Sequence, residues 1–160
     1  MHLLAPTTLR IAPAELPAQV RARFGAELRR AGSFAQIGML GAHACLDAAG
    51  GHGRLGMLWS SPLGPMRAFR AAFDGDLRQN APVMPFTFLG MQPHLAAVLL
   101  AQRYPVARSA HLHLAADAWP WLLRAAQGWL ASCERVLVGC IEESGDQIHA
   151  HSSDWCLVQN

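Results

Sequence analysis

RSAHLHLAADAWPWLLRAAQGWLASCERVLVGCIEE, residues 108–143, reads as strand, sharp turn, apolar helix and strand. Ser109, His111 and His113 alternate with Ala110, Leu112 and Leu114, so the first strand has one polar and one packed face. After Ala115 and Ala116, Asp117 stands where an N-cap belongs and Pro120 falls in the first turn, which predicts a helix from about Ala118 to Cys133. Trp119, Trp121, Leu122, Leu123, Ala125, Ala126, Trp129 and Leu130 leave Arg124, Gln127 and Ser132 as its polar interruptions. A helix apolar nearly all round is covered on most sides. Arg135 to Ile141 then reads as a buried strand.

Working outward, Asp154 to Gln159 is a last strand reached through EESGDQIHAHSS, and Arg54 to Ser61 is a buried strand bounded by glycine and proline. Ser33 and Gln36 form an S-x-x-Q capping box before Phe34, Ile37, Leu40, Ala44 and Cys45, a helix ended by Gly50 and Gly51. Gly38 and Gly41 let that helix lie close against a sheet. Pro65 starts a short helix that carries Met66, Phe69, Ala72 and Phe73 inward, with Arg67 and Arg70 on its polar side. Asp74 to Gln92 has no sustained period, and its aromatic part, PFTFLGMQP, reads as a binding or packing loop. His94 to Tyr104 is helical up to Pro105, and Thr8 to Ala12 is a short strand. Strands alternating with helices give an α/β layered fold with a mostly parallel sheet.

The 160 residues suit one domain, 1–160. A hydrophobic share of 52% against 15% charged implies either a very buried core or apolar surface reserved for a partner. Every basic residue is Arg, scattered and with a net charge of only +2, which is no nucleic-acid surface. The absence of Lys excludes a Walker A loop and a Schiff-base lysine. No signal-like N-terminus and no membrane-length apolar run is present, so a cytoplasmic protein is expected. Cys45, Cys133, Cys140 and Cys156 lack CxxC spacing and read as reduced core thiols.

The order of elements, with LGMLWSSPLGPMRAF, FLGMQPHLAAVLLAQRYPV and CERVLVGCIEE, resembles the N-terminal half of a β-ketoacyl synthase over roughly Gly32 to Val158. The resemblance is to the chain-length-factor-like group of polyketide and aryl polyene pathways. It implies a thiolase-like half of three α/β/α layers around a mixed, mostly parallel five-stranded sheet. It also implies a dimer, or a heterodimer with an active ketosynthase, built on the edge strand and central helix through Ser109, His111, Leu112, His113, Trp119, Trp121 and Trp129. An acyl carrier protein is a further partner it implies, and no cofactor.

Two departures matter. The family's nucleophilic cysteine matches Ala115 and its turn glycine matches Ala118; a condensing enzyme needs that thiolate, lowered in pKa at a helix start, to accept the acyl group. The chain also reaches Asn160 before the half that carries the family's paired catalytic histidines. A non-catalytic, ketosynthase-like subunit is therefore expected in a fatty-acid-like, aryl polyene or polyketide pathway.

A competing reading comes from the histidines. His111 with His113, and His149 with His151, are each two apart on extended chain and share a face, so four converging imidazoles would make a small metalloprotein or a hydrolase on an α/β scaffold. Asp117 would be its acid or base. Glu142 and Glu143, adjacent at a strand end, point to opposite sides and make a poor acid/base pair.

Overall fold

The computed structural model describes residues 1–50, 53–78, 84–114, 117–145 and 148–160. Five strands, β1 (His2–Ile11), β2 (Leu55–Ser60), β3 (Val106–Leu112), β4 (Arg135–Glu142) and β5 (His151–Gln159), form one mixed sheet in the order β1-β5-β4-β2-β3. β4 pairs parallel with β2 and β2 parallel with β3, whereas β5 is antiparallel to both β4 and β1. Four strands thus share a direction and β5 alone opposes them. The short return from Glu142 to His151 forces that reversal, because adjacent parallel strands need a long crossover.

Helices cover both faces. On one lie α1 (Leu16–Phe24), α2 (Ser33–Ala48) and α5 (Leu95–Ala101), packed with Met57, Trp59, Leu137, Trp155 and Leu157 in the larger core cluster. On the other, α6 (Ala118–Trp129) buries Leu122 and Ala126 on Leu58, Val136, Val138, Cys156 and Val158. Successive strand residues alternate between the two clusters, so Leu55–Trp59 of β2, Val136–Ile141 of β4 and Trp155–Val158 of β5 read as apolar runs without a polar alternation. Short α3 (Met66–Phe73), a π-helical turn (Asp74–Arg78) and α4 (Pro85–Gly90) lie between β2 and α5.

Close approach of α2 to the sheet depends on its glycines. A Cβ at Gly38 would meet Ile141, and one at Gly41 would strike Ser153 and the Trp155 indole. Gly139, opposite Trp155 in the β4–β5 register, accepts the other side of the same ring.

Several expectations are revised. The first strand is longer than Thr8–Ala12; it begins at His2 and is interrupted by a bulge near Ala5, whose φ is +48°. Leu16, Val20 and Phe24 bury one stripe of α1, a helix hidden in the sequence by Pro17, which the first turn tolerates. The Ser33/Gln36 capping box does not form: the Ser33 hydroxyl donates to the Glu143 carboxylate, and Gln36 Nε2 donates to the Leu28 carbonyl at 3.0 Å. Phe69 and Phe73 are not inward. They are 47% and 60% exposed, and Ala72 alone on α3 is fully buried. The aromatic stretch after Met84 is the helix α4 and not a loop.

Candidate functional site

The carboxyl ends of β2 and β4 meet the start of β5 under the first turn of α6. Ser60 stands opposite Cys140, Cys140 opposite Asp154, and Glu142 opposite Ser152. Strand alternation turns all five side chains toward α6, the face already occupied by Leu58, Val138 and Cys156. They border a cavity of about 240 Å³ that Asp117 and Trp119 help to close. Ligand crevices in α/β sheets commonly form at this end of the strands.

The groups in this cavity are largely polar, and its thiol is not activated. Cys140, the one cysteine lining it, has its thiol pushed up to about 11 by burial, with the Asp154 carboxylate and Cys156 adding to the shift. An acyl-accepting thiol needs the opposite displacement. Cys45 and Cys156 are raised too, to about 12 and about 11, chiefly by burial. Ser60 is 1% exposed and its hydroxyl has no hydrogen-bond partner, whereas Ser61 Oγ accepts from the Gly64 amide at 2.9 Å. Asp154 pairs with Arg10 at 3.2 Å.

Asp117 precedes α6 as expected, but its φ of 48° and ψ of 42° are left-handed and its side chain makes no capping hydrogen bond. A capping aspartate normally adopts extended backbone, from which its carboxylate reaches the amides of the first turn. Ala115, the position matched to the family nucleophile, and Ala116 lie outside the described residues.

Glu142 and Glu143 separate as the alternation requires. Glu142 is exposed, and Glu143 is buried on the α2 side, where it accepts the Ser33 hydroxyl and, at 2.9 Å, the Arg67 amide. One carboxylate therefore ties the starts of α2 and α3 to the end of β4, where helix N-termini favour negative charge.

The histidines are divided by the sheet. His111 stacks on Trp59 with ring centroids 5.4 Å apart and touches His113 at 4.4 Å and His94 at 6.1 Å. Burial, followed by the neighbouring His113 and His94, lowers its pKa to about 4, and its Nε2 is buried without a partner. His151 begins β5, with β4 and β2 between it and β3, a distance of about 14 Å at ordinary strand spacing. Its Nδ1 accepts from the Ser144 amide at 3.0 Å. The four-histidine site is thus not assembled, and among the described residues no group of three or more His, Cys, Asp or Glu is placed to hold a metal ion.

The remaining candidates lie at the surface. β3 is an edge strand, on which Ser109 is exposed and Ala110 and Leu112 pack toward α6; His113 just beyond it is exposed. On α6, Trp121 is 62% exposed, Trp119 is half-buried, and Trp129 lies under the Arg108 guanidinium at 3.9 Å. A groove of about 410 Å³ runs beside this helix, lined by Trp119 and Leu123 with Leu3 and Pro6 of β1. A second apolar surface escaped the sequence reading: Phe69 and Phe73 of α3 with Phe86 and Phe88 of α4, all near half exposed or more. Phenylalanines at i and i+4 beside arginines carried the signal, but it reads equally well as an inward stripe.

No family model matches the sequence, and no curated protein matches it. Solved structures do share its fold. A chain of the ketosynthase (ApeO) in complex with its chain length factor (ApeC) from Xenorhabdus doucetiae superposes with a TM-score of 0.70 at 14% identity, covering 99% of this chain and 79% of that one. The ishigamide ketosynthase/chain length factor gives a TM-score of 0.65 at 13% identity, covering 99% of this chain and 62% of that one. The architecture is the α/β, thiolase-like fold of ketosynthase and chain-length-factor structures. Among the described residues no helix is long and apolar enough to cross a membrane.

Proposed function

We propose that this chain is a non-catalytic, ketosynthase-like subunit that acts by pairing, with an active ketosynthase or with a second copy of itself, in a polyketide or aryl polyene type pathway. The observation that carries the reading is a likeness of fold, over 99% of the chain, to a component of a ketosynthase–chain length factor complex; the non-catalytic part rests on the sequence resemblance that sets Ala115 at the nucleophile position. Cys140 is no substitute, since its thiol stays protonated at neutral pH. Pairing is supported by the open edge of β3, by Trp121 standing out from α6, and by the groove alongside. Exposed apolar surface beside an open strand edge is suited to an interaction site.

Two measurements test it together. Incubated with an acyl carrier protein bearing a labelled acyl group, the chain is expected to remain unmodified by mass spectrometry; a thioester on any cysteine would refute the non-catalytic role. Light scattering at micromolar concentration is expected to give a dimer, or a heterodimer once an active ketosynthase from a pathway of this type is added. A monomer under both conditions refutes the pairing.

A further inference from the structure

The cavity under α6 carries charge that pairing does not use. Asp117 and Glu142 are both exposed at its border, and among the described residues neither has an ion-pair partner, whereas Asp154 is already matched by Arg10. Deeper in, the Ser60 hydroxyl is buried, unpartnered and part of the lining. A buried hydroxyl without a partner costs free energy unless something that enters the cavity bonds to it. The lining also includes apolar Pro62, Leu114 and Trp119. The start of α6 contributes about half a positive charge, which two full negative charges outweigh.

We propose that this cavity binds a small organic cation, a primary alkylammonium or alkylguanidinium. The cationic head donates hydrogen bonds to Ser60 Oγ and to the Asp117 and Glu142 carboxylates, and the alkyl stem lies on Pro62 and Trp119. Ammonium and guanidinium groups have only donors, and the unpartnered oxygens of this cavity are acceptors toward them. The same charge pattern disfavours carboxylate or phosphate ligands. The site goes beyond the pairing role and does not rest on it, so failure of one leaves the other standing.

The test uses the full chain at pH 7, titrated with n-butylamine, n-butylguanidine, n-butanol and butyrate and followed by amide chemical shifts and calorimetry. Saturable binding of the two cations is expected, with shifts at Ser60 and Cys140, and none with butyrate. In Asp117→Asn and in Glu142→Gln, affinity for the cations is expected to fall about tenfold, as loss of a hydrogen bond to a charged group implies. Asn tolerates the left-handed backbone of position 117 and position 142 is exposed, so both variants keep the fold. Ser60→Ala is expected to weaken binding as well, while an unfolding midpoint that is unchanged or raised, as removal of an unpartnered buried hydroxyl implies, excludes a packing defect. No binding of either cation, equal binding of butanol, or affinities that both carboxylate substitutions leave unchanged would each overturn the proposal. A response to n-butylguanidine alone assigns the site to guanidinium, and a response to n-butylamine alone assigns it to ammonium.

Discussion

Trp155 lies between Gly41 of α2 and Gly139 of β4, and there is no room for a methyl group on either side of the indole. Gly139→Ala is therefore expected to destabilise the fold by about 3 kcal/mol through overpacking, read from urea unfolding. Gly128, exposed within α6 with nothing near its missing Cβ, gives the opposite sign: Gly128→Ala is expected to stabilise by about 0.5–1 kcal/mol, since only backbone entropy changes. His111 supplies a pH dependence. Its folded pKa, about 4, lies below the unfolded value near 6.5, so the unfolded chain binds its proton first as pH falls. Its contribution is fully present above about pH 6.5 and declines between there and about pH 4, by about 2 kcal/mol once solvent screening is allowed for. His111→Gln is expected to flatten the fall of the unfolding midpoint between pH 7 and 4.5; an unchanged slope would remove His111 as its source.

At the scale of elements, α6 and β3 divide cleanly into residues that hold the fold and residues available to a partner. Leu122 and Ala126 are fully buried and Leu112 packs beside them, whereas Trp121 is 62% exposed. A charge at Leu112 would thus damage the sheet itself. Trp121→Glu, in contrast, is expected to leave the circular dichroism spectrum and melting temperature unchanged while weakening self-association or pairing about tenfold or more, as loss of a buried aromatic anchor does. Unchanged association by analytical ultracentrifugation would remove this helix from the interface. Elements with long apolar stretches were legible in the sequence: β2, β4, α2 and α6 fall where periodicity and run length put them. α1 and α4 were not, because each is short and carries Pro in its first turn, and nine or six residues give periodicity little to act on.

For the whole molecule, β1 is the outer partner of β5 along nearly its full length, from His2 opposite Gln159 to Ile11 opposite His151. A chain lacking residues 1–11 would expose that edge together with Ile11's side of the core, and it is expected to melt at least about 10 °C lower or to aggregate on expression, because an unprotected apolar edge strand is a template for pairing. Composition alone left two outcomes open, a very buried core or uncovered apolar surface, and local pattern alone determined the α/β class, the edge character of residues 106–112 being the first thing it could not give. Sheet order is a matter of which strands meet across the chain, and it is this order that parts His111 from His151 and joins Ser60, Cys140 and Asp154 in one row. The direction of Phe69 and Phe73 was likewise open in the sequence, since an amphipathic helix shows a stripe but not which neighbour, core or partner, lies against it. Alternation and helical period are properties of adjacent residues and are written locally; a binding cavity is made by residues as much as 94 positions apart, Ser60 and Asp154, and only packing decides that they meet.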